Sequence, residues 1–368
     1  MFKSIKTSTK ILVLGFVMLW IIHLAGGEYY DRYYLQVIIT FITSLFSVYF
    51  IYKVLEYTSP PHADIYQYFV GCVIGSIFFN NICALTSVLS PSLYNVIQSF
   101  QVVEVDALGI MSDALFQQRL RGLGENVLFN GGVISSLGLI LCMYKMLKSS
   151  SKSLIFLYFV AYIFIMFSGI LIARTTIVGV LLSLFLLSMH VNLSNVFKYV
   201  FWVLFSVLLV VIVFVSFIEL LDPEMASWAF EFVFNYIDSG SVGMESTDEL
   251  QDMWSIIPKD FMTYLIGDGL FRTPSGGYYK GVDVGYLRLI YYSGAFVMLA
   301  LFWSLKQLLG VRLLGIRTDL DKLNLVLLCW VLIMNVKGIC LPIAIIILFH
   351  YVQHHEAYRC KYVSADCE

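Results

Sequence analysis

The stretch IMFSGILIARTTIVGVLLSLFLL, residues 165–187, decides the fold class of this chain. It is almost entirely apolar on both sides of Arg174, which is typical of helices that lie in the hydrocarbon core of a bilayer. No Asp or Glu lies within 40 residues of Arg174 in either direction. Because a charged side chain at the edge of hydrocarbon is costly, Arg174 is expected to have a functional reason for its position.

The composition extends this interpretation to the whole chain. Of the 368 residues, 60% are hydrophobic and 13% are charged, and the mean hydropathy is +0.84. A soluble domain carries about 25% charged residues, so the sequence excludes an ordinary soluble protein. It predicts an all-α integral membrane protein with ten transmembrane helices. The predicted spans lie near residues 9–26, 33–55, 66–89, 127–147, 153–172, 175–190, 197–220, 284–309, 322–336 and 338–352.

The last two predicted spans are short and adjoin at Lys337 and Gly338. Two thin helices, a re-entrant pair and one long tilted helix are all compatible with this pattern. Lys337 and Gly338 favour a break between two helices.

The distribution of positive charge predicts the orientation in the membrane. With the N-terminus in the cytosol, 14 of the 23 Lys and Arg residues fall in cytosolic segments, as the positive-inside rule requires. Both termini are then cytosolic. The chain is predicted to be a single polytopic domain, residues 1–368, with two long extracytosolic (periplasmic) loops at 90–126 and 221–283. The short cytosolic segments carry no nucleotide-binding pattern, and no nucleic acid is expected as a partner.

Cations near the ends of predicted spans are the first candidates for a binding site. Arg119 and Arg121 precede the fourth span, Arg288 lies just inside the eighth, and Lys337 lies between the last two. For each arginine a structural alternative is open, because a long cationic side chain near a span end also reaches headgroups or solvent.

Histidine is absent from both long outer loops, so acid–base chemistry there is expected to use carboxylates. Asp283 is the first choice for a catalytic base and Asp268 the second, since both lie close to the span that carries Arg288. Asp283 is equally suited to cap the N-terminus of that helix. No metal and no cofactor are expected.

The ten-span plan, the two large outer loops and the segment GDG…VDVGYLRLIYYSGA entering a late span resemble the Wzy-type O-antigen polymerases. A local match lies in RGLGENVLFNGG, where ten residues separate Arg121 from Gly132. This spacing is similar to a pattern in outer loops of such polymerases. The second outer loop departs from it, because no glycine follows Arg272 at the same distance.

The resemblance implies a bacterial inner-membrane glycosyltransferase of lipopolysaccharide biosynthesis. Its substrate would be an oligosaccharide repeat unit linked to undecaprenyl diphosphate, held among membrane lipids, and a chain-length regulator would be its partner protein. The diphosphate leaves with developing negative charge, which arginine stabilises with its permanent charge and fork of donors. The expected diphosphate-binding residues are Arg174, Arg121, Arg288, Arg119 and Lys337, with Gly132 as the motif glycine.

Other functions stay open at this stage. An O-antigen ligase would transfer the finished chain to lipid A core, but the outer-loop histidine expected in that family is missing. A flippase for lipid-linked oligosaccharides usually has more spans and shorter loops. A structural or receptor-like membrane protein has no need for cations at span ends.

Overall fold

The computed structural model describes residues 33–60, 64–99, 120–124, 128–190, 245–274, 277–311 and 318–353, together with Val17, Ile21, Glu231, Asn235, Gly240 and Ile316. The predicted spans 9–26 and 197–220 lie outside these residues almost entirely. So do Arg119 and much of the two predicted outer loops.

Helices make up the regular structure of the described residues, which contain no β-strand. Arg272 and Tyr278 form an isolated antiparallel bridge. The helices are α1 (Tyr33–Thr58), α2 (Ile65–Leu89), α3 (Pro91–Ser99), α4 (Leu128–Lys148), α5 (Lys152–Ile172), α6 (Thr176–Ser188), α7 (Glu245–Ser255), α8 (Phe261–Ile266), α9 (Gly285–Leu308), α10 (Asp319–Met334) and α11 (Ile343–Gln353). Five of them, α1, α2, α4, α5 and α9, are long and apolar enough to cross a membrane. The all-α class predicted from the sequence is therefore confirmed for the described residues, and these five helices indicate a membrane protein. The ten spans stay a prediction.

The chain divides into two compact units. The first comprises Met1–Cys72 and Met253–Glu368, and the second is Val73–Asp252. Among the described residues, the first unit holds α1, the beginning of α2, and α8 to α11. The second holds the rest of α2, α3 to α6, and most of α7.

Small residues pack α4, α5 and α6 of the second unit closely together. A Cβ atom on Gly179 would lie 2.4 Å from Cα of Ser136, and one on Gly169 would lie 2.7 Å from Cβ of Ser135. The Ser136 hydroxyl donates to the carbonyl oxygen of Gly132 at 2.7 Å. Such small-residue contacts are the usual way in which membrane helices approach one another, because lipid gives them no hydrophobic driving force.

Helix α9 of the first unit is broken at Gly294, which has φ 79° and ψ 163°. The break removes the helical donors for the preceding carbonyl oxygens, and other groups replace them. The backbone N–H of Asp268 donates to the Tyr291 carbonyl at 2.6 Å. The Tyr34 hydroxyl of α1 donates to the Tyr292 carbonyl at 2.7 Å. The broken helix therefore keeps its backbone hydrogen-bonded, as burial requires.

The side-chain amide of Asn335 holds the connection between α10 and α11. Helix α10 ends at Met334 and α11 begins at Ile343, so the break predicted at Lys337 is present. The fully buried Asn335 side chain donates to the Cys340 carbonyl at 2.7 Å and accepts from the Cys340 N–H at 3.1 Å. This pair of bonds replaces the helical ones that the break removes.

Candidate functional site

Arg174 lies in the short non-helical turn between α5 and α6. Ala173 leaves the helix in an extended conformation, with φ −159° and ψ 130°, and Thr175 begins the next helix. The Arg174 side chain is 10% exposed and forms an ion pair with Glu231 through Nη1 and Oε2. Sequence reasoning gave Arg174 no partner within the chain, because this acid follows 57 residues later, beyond the seventh predicted span.

Gly132 fits against the turn that carries Arg174. A Cβ atom at this position would lie 2.0 Å from Oγ1 of Thr175 and 2.9 Å from Cβ of Ala173. Only glycine therefore lets the first turn of α4 approach this closely. The glycine that the sequence motif singled out thus lies directly beside the residues that flank Arg174.

The segment that precedes α4 is docked onto the same end of α5. The backbone N–H of Leu120 donates to the Leu171 carbonyl at 3.2 Å. The side chain of Asn80 in α2 forms two hydrogen bonds with the backbone of Leu123. It accepts from the N–H at 2.7 Å and donates to the carbonyl oxygen at 3.2 Å. These bonds fix residues 120–124 although they form no helix.

Arg121 is carried to this location by the docked segment. It is 7% exposed, and its guanidinium carbon lies 5.7 Å from the centre of the Tyr94 ring, within cation–π range. Its side chain is therefore buried in protein and does not extend to solvent or headgroups. Leu120 and Leu171 are hydrogen-bonded at the C-terminal end of α5. Arg121 and Arg174 follow closely on these two residues, so the backbones of both arginines lie near this end of the helix.

Two buried hydroxyls complete this region. Thr175 Oγ1 and Thr176 Oγ1 are buried, and neither has a hydrogen-bond partner among the described residues. A buried hydroxyl without a partner costs roughly 1–3 kcal/mol of stability. The turn therefore keeps two hydroxyl groups beside Arg174 that form no hydrogen bond with the described residues.

In the first unit, Arg288 is held between aromatic rings. Its guanidinium carbon lies 4.1 Å from the ring centres of both Phe271 and Tyr278. Tyr33 stacks on the far face of Phe271, with ring centres 3.5 Å apart. The side chain is 9% exposed, and Nη1 donates to Oδ1 of Asp283 at 3.2 Å. The Arg288 side chain is therefore largely enclosed by protein, which argues against the alternative that it merely extends to headgroups.

Asp283 is the counter-ion of Arg288 and is about half exposed. The capping alternative for Asp283 is wrong, because the N-cap of α9 is Val284 and makes no side-chain capping bond. The ion pair instead fixes the Asp283 carboxylate at the beginning of α9.

Asp268 lies at the centre of a separate hydrogen-bond network in this unit. Its carboxylate accepts from the Thr263 hydroxyl at 2.6 Å and from the Tyr279 hydroxyl at 3.1 Å. Burial, reinforced by the negative charge of Asp268, raises the pKa of Tyr279 to about 12. Tyr279 therefore stays protonated at neutral pH and acts as a permanent donor to the Asp268 carboxylate.

Lys337 lies in the turn that α9 packs against. A Cβ atom on Gly285 would lie 2.5 Å from the carbonyl oxygen of Gly338, and the Tyr286 N–H donates to the Asn335 carbonyl at 3.2 Å. The backbone of Lys337 is thereby brought to the beginning of α9, near the helical turn that carries Arg288.

The predicted cations thus fall into two groups. Arg121 and Arg174 follow closely on residues that are hydrogen-bonded to each other at the end of α5 in the second unit. Arg288 and Lys337 lie in segments that pack together at the beginning of α9 in the first.

Glu231 is the functional candidate that sequence reasoning missed. Three other acids, Glu219, Asp222 and Glu224, lie between Arg174 and Glu231 in the sequence, so no local signal indicated Glu231 as the partner.

The chain matches no family model, no curated protein and no solved structure. Its function is therefore argued from the arrangement of its own residues.

Proposed function

We propose that the chain is a glycosyltransferase of the bacterial inner membrane that polymerises oligosaccharide repeat units linked to undecaprenyl diphosphate, as Wzy-type O-antigen polymerases do. The proposal includes ten spans, two long periplasmic loops, cytosolic termini and a chain-length regulator as a partner. The observation that carries it is the pair of buried arginines at the end of α5. Arg121 and Arg174 were singled out by separate sequence features, and the Leu120–Leu171 hydrogen bond joins the segments that contain them.

The chemistry of glycosyl transfer outside the cell favours such a site. Nucleotide sugars are absent there, so the donor must bring a leaving group through the membrane. In a lipid-linked sugar, the bond between the anomeric carbon and the diphosphate breaks, and the diphosphate retains the electron pair. Buried guanidinium groups that are already oriented stabilise this charge without a cost of reorganisation during the reaction.

The ion pair between Arg174 and Glu231 serves this role in two ways. Before substrate binds, Glu231 compensates the buried charge and holds the guanidinium in one direction. A diphosphate then competes with Glu231 for Arg174, because two phosphate groups offer more acceptor atoms and charge than one carboxylate. Arg121, which packs on Tyr94, supplies a second positive charge near the same helix end.

The acceptor hydroxyl loses its proton as the new glycosidic bond forms. Asp283 and Asp268 are the proposed bases, and both are fixed by hydrogen bonds to neighbouring side chains. Arg288 and Lys337 are proposed as further cations for the diphosphate.

Reconstitution tests this function. The purified full chain in proteoliposomes, supplied with undecaprenyl-diphosphate-linked repeat units, should yield lipid-linked chains of two or more repeats and release undecaprenyl diphosphate. A gene deletion should leave lipid A core bearing a single repeat. If the deletion leaves long polymer on the lipid carrier that never reaches lipid A core, the chain is a ligase. If it removes every repeat from the outer face, the chain is a flippase.

A further inference from the structure

Large apolar side chains are exposed in the segment between α7 and α9, outside the five long apolar helices. The exposed residues are Ile256, Ile257, Phe261, Met262 and Ile266. Phe261 is 69% exposed, which matches the 67% of Phe296 on the candidate span α9. In water, a cluster of this kind on a short helix and its connection would be unfavourable, so it indicates a surface that contacts another apolar phase.

The path of this segment follows the first half of α9. Near its beginning, the Trp254 ring lies 6.4 Å from the ring of Tyr286, in the first turn of α9. At its far end, the Leu265 carbonyl packs against Gly294, where an added Cβ atom would lie only 2.2 Å away. Between these two contacts the chain advances along α9 from its first turn to its break.

The chain then returns to the beginning of α9. The Asp268 N–H donates to the Tyr291 carbonyl, and Phe271 packs on the guanidinium of Arg288. The segment reaches Asp283 at the first turn again, where the ion pair with Arg288 closes it. The described residues 254–274 and 277–283 therefore form a hairpin that runs beside the first half of α9, with α8 near its tip.

If α9 crosses the membrane, the tip of the hairpin lies well below the membrane surface at which α9 begins. Gly294 follows Gly285 by nine residues, which corresponds to about 13 Å along a helix. The hydrocarbon core is about 30 Å thick. Directly after Gly294, α9 continues with the exposed apolar residues Phe296, Leu299 and Trp303. The apolar surface of the hairpin thus adjoins, at its tip, the level where the exposed apolar surface of α9 begins.

We infer that residues 256–266 are a re-entrant segment whose exposed apolar side chains contact the acyl chains of the bilayer, in the leaflet that α9 enters first. Lys259 and Asp260 interrupt the apolar run and are exposed. The long Lys259 side chain reaches the headgroups from this depth while its methylene groups remain in hydrocarbon. The inference does not rest on the proposed enzymatic activity, since it concerns only the lipid bilayer as a partner.

Site-specific photocrosslinking tests this contact in the full chain. The photoreactive residue p-benzoylphenylalanine replaces Phe261 or Met262, and the protein is reconstituted in vesicles of phosphatidylcholine and phosphatidylglycerol with deuterated acyl chains. Phe296 is the matched lipid-facing control, and the exposed Lys280 is the matched control outside the spans. After irradiation, mass spectrometry should detect deuterated lipid on the peptides modified at 261, 262 and 296, and none at 280.

Each other outcome overturns the inference. Lipid adducts at 296 without adducts at 261 and 262 would mean that the segment faces water or another protein surface. Adducts from 261 to a second protein chain would assign the apolar surface to a protein interface. A lack of adducts at 296 would remove α9 as a lipid-facing span, and with it the reason for the inferred depth.

Discussion

Arg174 and Glu231 form an ion pair across 57 positions of sequence, at the turn between two apolar helices. Their pairing explains how an arginine is retained there, and it also provides a direct test of what the arginine does. If the pair is only structural, loss of either residue should have the same effect. If Arg174 binds a ligand, loss of Arg174 should have the larger effect on activity.

If Arg174 binds the diphosphate, Arg174→Ala should reduce polymer formation by roughly 100-fold or more, because a lost contact to a charge that develops in the transition state costs several kcal/mol. Arg174→Lys should be impaired because a lysine lacks the planar fork. Glu231→Gln removes the charge that competes with the diphosphate, while its amide oxygen is still an acceptor for Arg174. At matched protein levels it should therefore retain most activity. Polymer length on gels and in vitro turnover, at matched protein levels in the membrane, measure these effects.

The charge exchange Arg174→Glu with Glu231→Arg distinguishes the two roles. It restores an ion pair but moves the guanidinium, so activity should remain lost while the protein level recovers. Full activity in the exchanged protein, or equal losses in Glu231→Gln and Arg174→Ala, would assign the pair to structure alone.

Gly132→Ala should loosen the packing of α4 against the turn at Arg174. The added methyl group would overlap Thr175 Oγ1, and overpacking of this kind costs about 1–3 kcal/mol. A lower thermal unfolding temperature in detergent and a weaker polymer ladder are expected. Gly75→Ala is the control, since nothing lies within 4 Å of an added Cβ atom there. Equal behaviour of the two variants would contradict the close approach.

Asp283→Asn should leave lipid A core bearing a single repeat, because the separate ligase still acts while the base is missing. Asn also weakens the pair with Arg288, so Asp283→Glu serves to separate the charge from the geometry. Asp248→Asn, at an exposed position, controls for the loss of one carboxylate. A full ladder from Asp283→Asn would exclude Asp283 as the base and leave Asp268 as the remaining proposed carboxylate.

Gly294→Ala should destabilise the first unit more than Gly310→Ala does. Both glycines have positive φ, 79° and 68°. Gly294 also has a ψ of 163°, in a region that is essentially restricted to glycine, so an alanine there is strained in its backbone as well. An added Cβ atom meets the Leu265 carbonyl at Gly294 but nothing within 4 Å at Gly310. The difference in unfolding temperature between the two variants therefore measures the contact together with the backbone strain at Gly294. No difference would contradict the packing of α8 on α9.

Reporter fusions test the orientation. With cytosolic termini and ten spans, fusions after residues 100 and 250 should be active outside the inner membrane, and fusions after 150, 315 and 360 should be active inside. An alkaline phosphatase and a cytosolic reporter at the same sites give opposite readouts and control for expression. An external C-terminus would mean that the region 319–353 crosses the membrane once.

The helices α1, α2, α4, α5 and α9 follow closely the spans predicted from the sequence, because runs of apolar residues bounded by charge or glycine require little tertiary information. The break between α10 and α11 was also predicted, from Lys337 and Gly338. The break at Gly294 was not, since a glycine inside an apolar run gives no indication of whether other groups donate hydrogen bonds to the carbonyl oxygens that the break frees. Only the fold brings Tyr34 and Asp268 to those oxygens.

The residues of the candidate site also divide into those that the sequence indicated and those that it did not. Arg174 and Arg121 were found from their unusual positions, and Gly132 from its spacing to Arg121. Glu231, Tyr94 and the ring stack around Arg288 were not, because each contact joins segments that are distant in sequence or depends on side-chain direction. Pairings of this kind follow from helix packing, which a single sequence does not encode in a local pattern.

The hydroxyl of Tyr34 has a consequence for the order in which the protein is assembled during synthesis. The Tyr292 carbonyl that it satisfies belongs to a helix made 258 residues later, and a carbonyl without a donor is costly in hydrocarbon. Helix α9 is thus stable at its break only beside an already inserted α1, so insertion of the late helix depends on the early one. Tyr34→Phe should accordingly lower the yield of full-length inserted protein, as measured by pulse-chase labelling of membrane fractions, while truncated chains that end before α9 insert normally.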